Sequence, residues 1–105
     1  MLKNMSKELE IIKEKIAQKK DYLKKTYGVE EIGVFGSVAR GEHNADSDVD
    51  ILVNLDHEKV PISLLDFAGM QIYLEDLLGK KVDLITKAGI KPIIKDSILR
   101  NTVYI

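Results

Sequence analysis

The stretch that decides the reading is Gly36-Ser37-Val38-Ala39-Arg40-Gly41, then five residues, then Ser47-Asp48-Val49-Asp50. Immediately before it, residues 32–35 (Ile-Gly-Val-Phe) read as a short strand that Gly36-Ser37 breaks. A glycine at that point lets the chain turn sharply and come close to a ligand. Ser37 is a good helix N-cap and offers a hydroxyl and an N–H at a helix start, where unpaired donors favour an anion such as phosphate. After the polar loop of residues 41–47, Val49–Leu55 carries strong β-formers and reads as a second strand. Asp48 and Asp50 are two residues apart on extended chain, so both face the same way. Two adjacent carboxylates repel, and a hard divalent cation such as Mg²⁺ is the ligand that compensates them.

A third carboxylate, Asp83, lies in residues 82–85 (Val-Asp-Leu-Ile), a short strand in which an acid is out of character. If this strand pairs beside the second, Asp48, Asp50 and Asp83 converge. That is the layout of phosphoryl transfer assisted by two ions about 3.5–4 Å apart.

Outward from these strands the chain reads as helix. Leu2, Met5, Leu9, Ile12, Ile16, Leu23 and Tyr27 recur at helical spacing, which predicts one amphipathic helix ending at Gly28. A second helix is expected from Pro61 to Gly79, with Ile62, Leu65, Phe67, Met70, Tyr73, Leu74, Leu77 and Leu78 as its apolar face. Pro92–Arg100 reads as a short helix and residues 103–105 as a terminal strand. The order αβ(α)βαβαβ indicates an α/β or α+β domain, helices packed on a short sheet, with residues 1–105 as a single domain.

The 105 residues hold 16 basic and 17 acidic side chains and no cysteine. The first 25 residues have eight lysines and four acids, so the net of −1 hides a basic start and an acidic remainder. That balance argues against general nucleic-acid binding through a strongly basic surface. There is no disulfide scaffold, thiolate metal site or cysteine nucleophile, which suits a cytoplasmic protein. No apolar run approaches the roughly 20 residues of a membrane span. His43 and His57 sit in polar loops without metal-ligand spacing, and Lys87, Lys91, Lys95 and Arg100 form a basic, solvated tail. Gly36 and Gly41 have P-loop spacing, but Glu42-His43 stands where Lys and Ser/Thr are required.

The pattern G-S-x-x-R-G-x5-S-D-x-D with a downstream strand Asp resembles the polymerase-β-like nucleotidyltransferase superfamily, and within it the minimal nucleotidyltransferases (MNT). At residue frequencies of roughly 5–7%, seven fixed positions recur by chance on the order of 10⁻⁹ per window. The resemblance implies a nucleotidyltransferase fold with a short mixed sheet. It implies that Gly36 and Ser37 hold the β/γ-phosphates of ATP, and that Asp48 and Asp50 ligate Mg²⁺, with two ions expected. Asp83 would complete the metal site and orient or deprotonate the attacking hydroxyl. Arg40 would either reach phosphate or pair with an acid of the loop that follows.

A chain of 105 residues has little left over for an acceptor-binding domain, so the acceptor is expected on a partner chain, in a homo- or hetero-oligomer. For the family that partner is a helical HEPN toxin, whose tyrosine receives AMP from the MNT antitoxin (a type VII-like system). The alternatives are an antitoxin that works by binding alone, and a nucleotidyltransferase acting on a small molecule or a nucleic-acid end.

Overall fold

A computed structural model describes residues 7–42 and 48–105. Five helices and four strands run in the order α1 (Lys7–Ala17), α2 (Lys20–Tyr27), β1 (Val29–Phe35), α3 (Gly36–Arg40), β2 (Val49–Leu55), α4 (Leu64–Leu78), β3 (Val82–Thr86), α5 (Pro92–Arg100) and β4 (Val103–Tyr104). The strands form one mixed sheet in the order β3-β2-β1-β4. β1 is antiparallel to both β2 and β4, whereas β2 and β3 are parallel and joined through α4. The α+β class and the mixed sheet expected from the sequence are present.

Strand alternation sorts the sheet into two unlike faces. Ile32, Val34, Val49, Ile51, Val53, Val82 and Leu84 face the core, where they meet Leu9, Ile12 and Ile16 of α1, Leu23 of α2, and Met70, Leu74 and Leu78 of α4. Each such aliphatic side chain contributes roughly 1.5–3 kcal/mol on burial. This one-sided layer fixes the register, because a slip by one residue would turn every apolar side chain to the wrong face. The opposite face carries Asp50 and Asp83.

The helices depart from expectation in three places. The first amphipathic segment is two helices, and its Leu2 and Met5 lie outside the described residues. The break falls at Gln18-Lys19, where Lys19 N–H donates to the Ile16 carbonyl in a tighter turn at 2.9 Å. Between Ile16 and Leu23 no buried side chain anchors the chain, so nothing holds that turn to the core. α4 begins at Leu64 rather than Pro61, because Ser63 and Asp66 form a capping box: Asp66 N–H donates to Ser63 Oγ and Ser63 N–H to Asp66 Oδ2. Leu65, expected on the apolar face, lies in the first turn ahead of the core contacts and is 82% exposed. Phe67 and Tyr73 do pack against the core, and Tyr73 lies 4.9 Å from Tyr22, ring centre to ring centre. Among the described residues no helix is long and apolar enough to cross a membrane.

The start of β3 is fixed from both sides. Val49 N–H donates to the Lys81 carbonyl at 2.9 Å. On the open edge, Val82 N–H donates to Glu75 Oε2 of α4 at 3.1 Å in a half-buried setting. A charged acceptor on a backbone donor stabilises by about 1.5–3 kcal/mol when desolvated, and less when partly wet. Glu75→Ala is therefore expected to lower unfolding free energy by about 1–2 kcal/mol in urea melts. Glu75→Gln, which keeps an acceptor oxygen, should recover most of it. Equal stability of Glu75→Ala and the parent would show that this bond does not hold the strand.

Candidate active site

The open face of the sheet gathers the motif at one end. α3 follows β1 directly. Val38, 1% exposed, pins this short helix to the core, which leaves half-buried Ser37 and exposed Arg40 outside it. At Gly36 the backbone takes φ 74°, a left-handed conformation that disfavours any side chain. Space forbids one as well: a Cβ there would run into the Asp50 carboxylate. The glycine and the aspartate are thus two halves of one close contact between the β1–α3 turn and β2.

Register sets the acids. Phe35 pairs with Asp50 across β1–β2, and Asp50 stands directly beside Asp83 across the parallel β2–β3 pair. The expectation that the third strand would lie against the second is met, and it puts two carboxylates on one sheet face. Asp48 and Asp83 are exposed, whereas Asp50 is half-buried. Burial raises the Asp50 carboxyl above its ordinary range; the negative charges of Asp83 and then Asp48 push it the same way, and Arg40 opposes them. The three acids and the arginine therefore feel one another. Of the two roles open to Arg40, the pairing with a loop acid is present: its Nε donates to Glu42 Oε1 at 3.1 Å. Ser47 and His43 lie outside the described residues.

The convergence expected of Asp48, Asp50 and Asp83 stops short of a ligand shell. Among the described residues no three His, Asp or Glu side chains stand close enough together to hold an ion. The residues nonetheless fit a hard divalent cation. Their donors are all carboxylate oxygens, the glycine lets the Asp50 carboxylate lie against the β1–α3 turn, and a single arginine does not offset three acids.

Two further residues escape the sequence reading. Lys87 is not part of a purely solvated tail, since its Nζ pairs with Glu31 Oε1 at 3.3 Å and ties the end of β3 to β1. Glu75, described above, positions the strand that carries Asp83. The Lys87–Glu31 pair joins residues 56 apart, and the Glu75 bond crosses the turn between α4 and β3; neither follows from helix or strand periodicity.

A carboxyl raised in the folded state binds its proton more tightly there than in the unfolded chain. Ionised Asp50 hence costs stability at neutral pH, and that cost fades as pH falls through its raised range towards the unfolded value of 3.8. In buffer without divalent cations, Asp50→Asn is expected to melt at a higher temperature than the parent at pH 7. The gap should close by about pH 4, near the unfolded carboxylate range. A melting point for Asp50→Asn at or below the parent at pH 7 would contradict this.

Comparison with known proteins agrees with this geometry. The nucleotidyltransferase domain family matches residues 16–105. The chain is 50% identical over 97 residues to the protein adenylyltransferase MntA of Thermococcus cleftensis, covering 92% of this chain and 95% of that one. A Methanocaldococcus jannaschii protein, provisionally named a protein adenylyltransferase, is 48% identical over 100 residues, 94% of this chain and 99% of its own. Among solved structures, one provisionally named a minimal nucleotidyltransferase superposes with a TM-score of 0.76 at 35% identity, over 90% of this chain and 93% of that chain. A chain of the MntA–HepT toxin–antitoxin crystal structure shares the fold, with a TM-score of 0.63 at 17% identity over 90% of this chain and 69% of that one. With the motif on one sheet face and these matches along nearly its whole length, the chain belongs to the nucleotidyltransferase domain family and is similar throughout to the protein adenylyltransferase MntA.

Proposed function

We propose that this protein transfers AMP from ATP to a hydroxyl of a partner protein, a tyrosine of a helical HEPN-type toxin, and so acts as the antitoxin. The observation that carries the reading is the parallel register of Asp50 with Asp83, above a glycine that leaves room only for Asp50. Support for a protein acceptor comes from the relatives named protein adenylyltransferase at about half identity. Support for a toxin partner comes from the toxin–antitoxin structures of the same fold, one of them with AMP-PNP.

In this reading the β1–α3 turn, with Gly36 and Ser37, receives the β- and γ-phosphates on backbone N–H groups and a hydroxyl. Arg40 adds positive charge there while its Nε stays on Glu42. Asp48, Asp50 and Asp83 are the groups that would hold Mg²⁺, which when bound neutralises phosphate charge and makes the acceptor oxygen easier to deprotonate. Asp83 stands nearest the incoming hydroxyl and orients it or accepts its proton. The acceptor oxygen bonds to the α-phosphorus, the bridge to the β-phosphate breaks, and pyrophosphate leaves with its electron pair. Such chemistry consists almost entirely of positioning and charge stabilisation, which suits a small scaffold.

The test is incubation of the purified chain with α-labelled ATP, Mg²⁺ and a HEPN-type toxin. Label is expected on a toxin tyrosine, with release of pyrophosphate. Asp48→Asn and Asp50→Asn should each lower the rate by about 100-fold or more, the scale of losing several kcal/mol of charge stabilisation. Toxin neutralised by both variants without label would mark a binding antitoxin instead. Label on added RNA or a small molecule in place of protein would move the acceptor to another class.

A further inference from the structure

β3 has two neighbourhoods. On one side it meets β2 and the acids; along its open edge, towards its end, lies an apolar concavity of about 720 Å³. Its floor includes Leu84 and Ile85, and its walls come from Phe67 and Leu64 of α4 and Ile94 of α5. Leu64 of α4 is 89% exposed and Ile94 of α5 is 47% exposed. Large aliphatic side chains left in water on both sides of one groove are unusual for a surface without a partner. The chargeable side chains lining the groove are Lys91 and His57, and no acid lines it.

The position relative to the acids identifies the occupant. Attacking and leaving oxygens are roughly in line in phosphoryl transfer. Pyrophosphate departing over the β1–α3 turn requires the acceptor to arrive from the β3 side. Ile85 lies two residues beyond Asp83 on the same strand and the same face, roughly 7 Å on along the backbone, so the Ile85 side of the groove is next to that aspartate in the strand. We propose that this groove seats an amphipathic helix of the acceptor protein, its apolar side at three- and four-residue spacing in the groove and acidic residues along the flank that meets Lys91. This deepens the adenylyltransferase reading and rests on it for the identity of the partner. Helix-in-groove docking of this kind gives affinity through a few buried aliphatic anchors.

The experiment uses the full chain and the same HEPN-type toxin, with complex formation measured by calorimetry separately from AMP transfer. The double variant Leu64→Asp/Ile94→Asp changes exposed side chains of the groove, so its melting point should stay close to the parent's and its binding of Mg²⁺ with AMP-PNP should match it. Its affinity for the toxin is expected to fall about tenfold or more, and that of Lys91→Glu to fall as well. Affinity within about twofold of the parent in the double variant overturns the proposal, as does a parent chain that forms no complex with the toxin. A change in the chain's own mass by light scattering in the double variant would assign the groove to a second copy and also overturns it. A parent that binds the toxin through the groove but transfers no AMP leaves the docking surface standing and removes the enzymatic reading.

Discussion

The pairing of Asp50 with Asp83 across β2 and β3 is the constraint to which the rest of the molecule answers. It places two carboxylates side by side, an arrangement that repels itself and adds to burial in raising the Asp50 carboxyl. Such a pair persists only because the other side of the same strands is over-determined. Val49, Ile51, Val53, Val82 and Leu84 are locked into a core with α1, α2 and α4, and register cannot slip without exposing all of them. The apolar layer thus supplies the stability that the polar face gives up. A charge cluster held open in this way is what a cation and a polyphosphate can later relieve.

The same logic explains the turn in front of it. Gly36 is required twice, by a left-handed backbone and by the carboxylate standing over it, and Val38 buries the short helix that follows. Val38, with Ala39 packed beside it, anchors α3 on its inner side and leaves Ser37 and Arg40 outside the core. Arg40 then contributes positive potential near Asp50 without forming a direct pair with it, since its Nε is taken by Glu42. Glu75 and the Lys87–Glu31 pair hold the two ends of β3. The edge strand that carries Asp83 is therefore fixed more firmly than its five residues would manage alone.

Much of this was legible in the sequence, for a physical reason. Strand alternation and glycine stereochemistry are local rules, so the motif, the two strands of the site and the family resemblance could all be read from spacing. What local rules do not reach is where side chains end up relative to distant neighbours. The break at Gln18-Lys19 has no glycine or proline to announce it and follows from the missing anchor between Ile16 and Leu23. Leu65 has the right spacing for a core residue, but it sits in the first turn of α4, ahead of the residues that meet the sheet. The closeness of three carboxylates is likewise a matter of side-chain electrostatics; the backbone brings them to one face and goes no further. The apolar groove is assembled from α4, β3 and α5, and its Leu64 and Ile94 look like ordinary helix residues in the sequence.

The central claim is that the acids on β2 and β3 are built for a divalent cation shared with a nucleotide. Mn²⁺, followed by electron paramagnetic resonance in the presence of a non-hydrolysable ATP analogue, measures this without any turnover. The account requires the parent to bind the ion more tightly with nucleotide than nucleotide does alone, and Asp48→Asn or Asp50→Asn to weaken that binding by about tenfold or more. Binding as tight in both variants as in the parent would contradict it.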